Sequence, residues 1–496
     1  MIFEQFRDAA HRYRDQSAII DEDQRITYGQ LLEHVAGMRG WLRNVLNPVA
    51  GDVIAASLSN VWQFAACFFA VSELGCVFMP CNPQWRAGEL RWFAGRLKFR
   101  GVLTEPQFRA EWDRLGDLIA PHSLLTVDHA AIRCEPGDTL DPRAFPGRSE
   151  DEPALYLPTS GSMGMPRLVP RSHRNLTAGA RNVAHTLGIG PGRRLLAGVP
   201  FYHANGFHNC MLMPLISGAT LILMRQFNAA ACASLIHRER VDAVIGSPFL
   251  YGILADGVAD ASLLSTVQHC FSAGARMPAA VASRWRDRFH IRVRQWYGMS
   301  ETSVVSIDCS GQEPPSGPGT FVGKPIRGVE VKCLHPEGGD LGPGAKGELA
   351  VRSEAVMSGY AGEPELNEHI FHSGFFKTGD LGHIDAAGNI YLEGRLRRVI
   401  NVAGVKVDPV EIERAVESLS SVAECHVDAV PNGRESEVIR ARIVVKPDLQ
   451  ITRRDVIEQC RQRLAEFKLP RIIEFVEALP TTIAGKRPTE WKTDEP

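Results

Sequence analysis

Between residues 52 and 81 the chain reads as a strand, a helix and a strand in quick succession: DVIAASL (52–58), WQFAACFFAVSEL (62–74) and CVFMPC (76–81). Few folds accommodate that order. Apolar strands joined through a helix pair side by side in parallel, with the helix covering one face. The alternation returns in RLLAGVP (194–200), ATLILM (219–224), ASLIHRER (233–240) and VDAVIGSP (241–248), so a largely parallel α/β sheet is expected. ITYGQLLEHVAGMRGWL (26–42) opens on a capping box, Thr27 to Gln30, and continues with Leu31, Val35, Met38 and Leu42 at helical spacing.

With 496 residues the chain exceeds what one hydrophobic core usually supports, so two or more domains are expected. After about residue 317 Gly and Pro become frequent. Short alternating segments, GVEVKCL (328–334) and GELAVRS (347–353), indicate a small antiparallel β region. A second change falls near Gly394. Beyond the basic RLRR, VDPVEIERAVESL reads as a helix with Asp408 as cap, Pro409 at its first position and Glu411 completing the box. EVIRARIVVKP (437–447) alternates as a half-exposed strand does. Residues 398–496 are therefore expected to form a separate α+β lobe, with 1–394 as the large domain and 395–397 as the hinge.

Charge excludes some partners. The net charge is −2, and residues 398–496 hold 16 Lys and Arg against 17 Asp and Glu, so neither nucleic acid nor an anionic membrane is expected. The stretch CMLMPLISGATLILM (210–224) is interrupted by Pro214 and Gly218 and reads as a buried helix–turn–strand, not a membrane span. Eleven cysteines without a CxxC pair suggest a reducing compartment, and MIFEQFRDAAHRYRD lacks the apolar core of a secretory signal; a cytoplasmic location is expected.

Several common sites are absent. The Gly-Lys pairs, Gly323-Lys324 and Gly485-Lys486, are followed by Pro325 and Arg487 and make no Walker loop. The GxGxxG at 342–347 precedes a strand and reads as a hairpin turn. No HExxH or GxSxG occurs.

The stretch YLPTSGSMGMPRLV (156–169) is too rich in glycine and hydroxyls to serve a core. Such a run lets backbone N–H groups converge on phosphate oxygens while Ser and Thr add donors. Read alone, it is equally a flexible surface loop. TSGSMGMPR (159–167) resembles the phosphate loop of the adenylate-forming superfamily of acyl- and aryl-CoA synthetases, peptide-synthetase adenylation domains and luciferases. Met163 stands where the family has a hydroxyl, and Arg167 where it has lysine. PFYHANG (200–206), FSAGARMP (271–278), QWYGMSE (295–301), GELAVRSEAVMSGY (347–360), FKTGD (376–380), GRLRRVINVAGVKVDPVEIE (394–413) and LPTTIAGK (479–486) follow in the family's order. The resemblance implies an α/β fold: a large N-terminal domain of stacked α/β subdomains plus a small distorted β-barrel, with a mobile α+β C-terminal lobe.

It also implies a chemistry. A carboxylic acid is a poor acyl donor; joined to AMP at the expense of ATP it becomes a good one, and a thiol then takes the acyl group. The first step brings a carboxylate to a polyanion, so charge neutralisation and alignment are the central tasks. By resemblance Lys486 bridges carboxylate and α-phosphate, and Glu301 holds Mg²⁺ on the triphosphate. Thr159, Ser160, Gly161, Ser162, Gly164 and Ser300 surround phosphate. Gly274, Ala275, Arg276, Trp296, Tyr297 and Gly298 surround adenine, with Tyr297 stacking on it or serving as a core tyrosine. Asp380 accepts from the ribose hydroxyls, helped by Arg395, which could equally form an interlobe salt bridge. His203, Phe207, Gly298 and Met299 are candidates for the acyl pocket; His203, also a catalytic candidate, either gates thiol entry or touches the carboxylate, or is a buried structural histidine. Arg397, an Asp or Lys in most relatives, is the hinge, and Gly404 lets a pantetheine arm pass.

By the resemblance, amino-acid-activating relatives place an aspartate in the segment equivalent to FYHANGF to pair with the α-ammonium; no acidic residue lies there, which disfavours an α-amino acid. Asn205, His208 and Asn209 add polarity there, and Phe207, Met211 and Met213 add apolar volume, so a functionalised acyl or aromatic acid fits as well as a fatty acid. Ten residues follow Lys486, so the thiol is expected in trans: coenzyme A, or alternatively a pantetheinylated carrier protein. A catalytically silent nucleotide-binding protein is the alternative of another class.

Overall fold

The computed structural model describes the chain except at residues 86, 128–148, 160–166, 226–227, 311–317, 337, 396–399, 403–404, 408, 432–436, 465 and 480–496. Its centre is a nine-stranded sheet whose inner strands, Val293–Met299, His269–Ser272, Ala243–Gly246, Arg194–Ala197, Thr220–Leu223 and Ser17–Asp21, run parallel, with antiparallel strands at both edges. A six-stranded sheet runs in the order Leu124–Thr126, Phe99–Thr104, Val53–Ser57, Val77–Pro80, Pro153–Thr159, Arg167–Ser172. Only its last pair is antiparallel. The strand–helix alternation thus folds as expected.

Both sheets feed one core. Alternate residues of a strand point to opposite faces. Accordingly Ile54 and Ala56 join a core shared with Ile19, Leu195 and Leu221 of the central sheet, while Val53 and Ala55 pack on the other side beneath Phe93 and Trp112. Ile20, Leu196 and Val244 likewise face outward, toward the helices Ala229–Arg238, Pro248–Gly257 and Ala279–Phe289. Helix Trp62–Glu73 lies in the shared core and is buried on nearly every side, which its unbroken apolar sequence requires. Tyr28–Leu46 starts at the expected capping box: Thr27 Oγ1 accepts from Gln30 N at 3.1 Å, and Gln30 Oε1 accepts from Thr27 N at 2.9 Å.

The antiparallel region anticipated after residue 317 is a sheet in the order Thr320–Phe321, Ile390–Arg395, Phe375–Ile384, Gly347–Arg352, Glu330–Leu334, with Phe371–His372 added on Phe375–Ile384. The GxGxxG is the hairpin turn before Gly347–Arg352, closed by Ala345 N donating to Gly342 O at 3.2 Å. Residues between Ile400 and Ile473 bury a core of their own against the strands Val422–Pro431, Glu437–Val445 and Ile472–Phe475 and the helices Pro409–Glu417 and Arg453–Arg463. Pro409 opens its helix as expected, whereas Asp408 lies outside the described residues. No helix among the described residues is long and apolar enough to cross a membrane.

The segment 210–224 is the expected buried helix–turn–strand, with one departure. Gly206–Leu212 is a π-helix, followed by α-helix Met213–Ser217 and strand Thr220–Leu223. Tyr28 anchors this unit: its buried hydroxyl donates to Ala219 O at 2.7 Å and reaches Pro214 O at 3.2 Å. Tyr28→Phe leaves these carbonyls without that donor. It should lower the unfolding free energy by about 1–2 kcal/mol, read as a reduced urea midpoint.

Candidate active site

A cleft of about 1610 Å³ opens beyond the carboxyl ends of the inner strands of the two large sheets, beside the antiparallel sheet and helix Pro409–Glu417. Thr159, His203, Gly274, Ala275, Arg276, Trp296, Tyr297, Gly298, Met299, Ser300, Glu301, Asp380 and Arg395 all line it, drawn from segments more than two hundred residues apart. Ser160, Gly161, Ser162, Gly164, Arg397, Gly404 and Lys486 lie outside the described residues.

Glu301 sits on a tight turn between the antiparallel strands Val293–Met299 and Ser303–Ile307. Ser303 closes the turn with φ +62°, a left-handed conformation that costs a non-glycine residue about 1–2 kcal/mol and recurs at functional sites. The turn is clamped from behind. Arg171 is wholly buried and directs its guanidinium to the carbonyl oxygens of Ser300 and of Ala355, the latter at 2.6 Å. Burial brings its pKa down to about 10, against the opposing pull of the Glu301 charge. Tyr360 donates its hydroxyl to Glu301 Oε1 at 2.7 Å, and Arg167 stacks over the Tyr360 ring at 5.3 Å. Gly298 has no room for a side chain, since a Cβ would stand 2.3 Å from Ser303 O.

Asp380 and Arg395 are register partners on neighbouring strands, joined by an ion pair of 2.6 Å. This is a cross-strand pair within one sheet. Tyr297, from the central sheet, donates its hydroxyl to Asp380 Oδ2 at 2.7 Å. The Tyr297 phenol is raised well above 10.0, first by burial and then by the Asp380 charge. The same carboxylate raises Arg395. Tyr297 is thus both a core residue and a wall of the cleft, and its polar end is committed to Asp380. Trp296 stacks on Phe271, centroids 5.4 Å apart, beneath the loop 273–276. Gln295 steadies that loop, its Oε1 accepting from Met277 N at 3.2 Å.

At the other end of the cleft Asn60 holds the entry to the π-helix, accepting from Phe201 N at 2.8 Å and donating to Val199 O at 3.1 Å. His203 follows on the cleft wall. Gly206 comes next, where a Cβ would stand 2.0 Å from Pro200 O. The acyl-pocket assignment of Phe207 is corrected. Its ring is buried among Phe64, Phe68 and Phe78, with centroids 4.8 Å apart for Phe68, and it does not line the cleft. Met211 and Met213 lie in the same core. Asn205, His208 and Asn209 face the cleft instead. The apolar ring takes the aromatic core, and the neighbouring polar side chains take the cleft wall.

Sequence reading missed Asn60, Arg171 and Tyr360. Each acts through a contact with a segment far along the chain, which no local pattern marks. Among the described residues no cluster of His, Cys, Asp and Glu could by itself hold a metal, so a metal here would depend on Glu301 and a ligand's oxygens.

The model of the AMP-binding enzyme family matches residues 6–361, and that of the AMP-binding enzyme C-terminal domain matches residues 411–486. The chain belongs to the AMP-binding enzyme family. It is 30% identical over 465 residues to a feruloyl-CoA synthase of Amycolatopsis sp, covering 93% of this chain and 92% of that one. A sulfoacetate–CoA ligase of Cupriavidus necator is 28% identical over 477 residues, with 94% and 92% covered. The crystal structure of ATP-bound MatB from Rhodopseudomonas palustris superposes with a TM-score of 0.88 at 25% identity, covering 98% of this chain and 97% of that one.

Burial, and next the nearby Arg171 charge, hold the His208 imidazole well below its ordinary value of 6.5. The folded protein keeps it neutral while the unfolded chain takes up a proton, so stability is lost as pH falls below about 6.5 and levels off below the folded value. The loss should approach about 1.4 kcal/mol per pH unit from this group. His208→Gln should flatten the acid limb of a stability–pH profile measured by urea unfolding.

Proposed function

We propose that this protein is an AMP-forming acid–thiol ligase that activates a carboxylic acid with ATP and passes the acyl group to coenzyme A. The observation that carries the reading is the convergence in one cleft of the Glu301 turn, the Tyr297–Asp380–Arg395 network and the polar wall around His203. Membership of the AMP-binding enzyme family and likeness to CoA ligases along nearly the whole chain support it.

The acid's carboxylate oxygen attacks the α-phosphorus, the bond to the bridging oxygen of the β-phosphate breaks, and pyrophosphate leaves. A thiol then attacks the acyl carbon and AMP leaves. Asp380 is suited to the ribose hydroxyls, because Arg395 and Tyr297 hold its carboxylate in a fixed orientation. Ser300 and the 159–164 loop take phosphate oxygens. One carboxylate fits Mg²⁺, which prefers few protein oxygens and several from phosphate; Glu301 would hold it, and the ion would neutralise charge on the triphosphate. Lys486 would bridge the carboxylate and the α-phosphate as a mobile point charge, and withdraw when the small lobe, 398–496, turns about 395–397. Arg397 is the hinge and Gly404 lines the thiol's path in this scheme. A cytoplasmic setting supplies both ATP and coenzyme A, and a chain with eleven cysteines and no CxxC pair suits it.

The test is pyrophosphate release with ATP, Mg²⁺ and a panel of carboxylic acids, run with coenzyme A, with a pantetheinylated carrier protein and with neither. Acid-dependent release and a coenzyme A thioester are expected. Nucleotide binding without release for any acid would leave a silent binding protein. Lys486→Ala should slow adenylation by about 100-fold or more, while the thiol step from supplied acyl-AMP is slowed far less, in rapid-quench assays. Asp380→Asn should raise the KM for ATP by about tenfold, in line with one charge-assisted hydrogen-bond network.

A further inference from the structure

We propose that the acid this cleft activates carries a hydroxyl group, seated between His208 and Asn209. The inference rests on the ligase reading and deepens it by naming the substrate class.

His208 and Asn209 line the cleft beside His203, yet each is more than nine-tenths buried. Neither ring nitrogen of His208 has a hydrogen-bond partner among the described residues, and neither has Asn209 Oδ1. The amide nitrogen of Asn209 is committed, donating to Asn205 Oδ1 at 2.9 Å. Buried polar atoms are nearly always satisfied, because leaving one unpaired costs about 1–3 kcal/mol. Three such atoms on adjacent residues of one wall require something to meet them.

Their chemistry selects the partner. His208 is neutral, kept so by burial and by the positive Arg171 nearby. A neutral imidazole offers one N–H donor and one nitrogen acceptor. Asn209 Oδ1 adds a second acceptor. The set is one donor and two acceptors. A hydroxyl meets two of the three atoms, donating to one acceptor and accepting from the imidazole N–H. A second carboxylate or a sulfonate only accepts. It would satisfy one atom and face two lone pairs. An alkyl tail satisfies none. Phenolic and alcoholic hydroxyls offer the same donor and acceptor, so both belong to the class.

The experiment compares matched pairs that differ by one hydroxyl: benzoate with its three monohydroxy isomers, cinnamate with 4-hydroxycinnamate, and hexanoate with 6-hydroxyhexanoate. Succinate and adipate serve as diacid arms. kcat/KM for pyrophosphate release is measured for the parent, His208→Leu and Asn209→Leu. At least one hydroxylated acid should exceed its unsubstituted partner by about 10- to 100-fold, and the ratio should fall toward one in both variants. Which pair shows the preference separates phenolic from aliphatic substrates. If acids are activated but no hydroxylated member is preferred, or a diacid is best, or the preference survives in both variants, this inference is overturned and the ligase reading stands. If no acid supports release, the ligase reading itself fails. Should His208→Leu fold poorly, Asn209→Leu alone decides, since it removes an acceptor without touching the imidazole.

Discussion

The Asp380 carboxylate holds the cleft together. It takes an ion pair from Arg395 on the neighbouring strand and a hydroxyl hydrogen bond from Tyr297 on a different sheet. A buried carboxylate is costly unless each oxygen is met. Here the two partners come from two sheets that meet at the cleft, and their contacts fix the orientation of the carboxylate on the cleft wall.

Around this point the site is built from constrained backbone carried on rigid elements. The Glu301 turn ends in a left-handed serine, cannot accept a Cβ at Gly298, and is clamped by Arg171, whose charge is dispersed onto carbonyl oxygens. The π-helix leans on Asn60 and, at Gly206, on the backbone of Pro200. Both ends of the cleft are thus preorganised, which suits a reaction whose difficulty lies in aligning two anions.

The end of the cleft at the π-helix differs in character from the end at Asp380. Around Asp380 the charges are paired with one another. At the π-helix His208 and Asn209 present polar atoms that have no partner among the described residues. Selectivity can then come from hydrogen-bond complementarity more than from volume, which discriminates more sharply than an apolar pocket can.

Much of this was legible in the residues. Strand–helix alternation determines the parallel sheets because each helix buries one face of the strands it joins. Thr27 and Gln30 announced their helix, and the spaced Gly, Tyr, Glu and Asp segments named most of the cleft wall. What sequence alone could not decide was which side of 206–213 meets the cleft. The resemblance named Phe207 as a pocket candidate; in the structure its ring lies in the aromatic core, and His208 and Asn209 line the cleft. Arg171, Tyr360 and Asn60 were equally silent, because their work is done on partners distant in the chain. Periodicity and local hydrogen bonding are written residue by residue; the pairing of far segments and the satisfaction of buried polar atoms arise only once the sheets have packed.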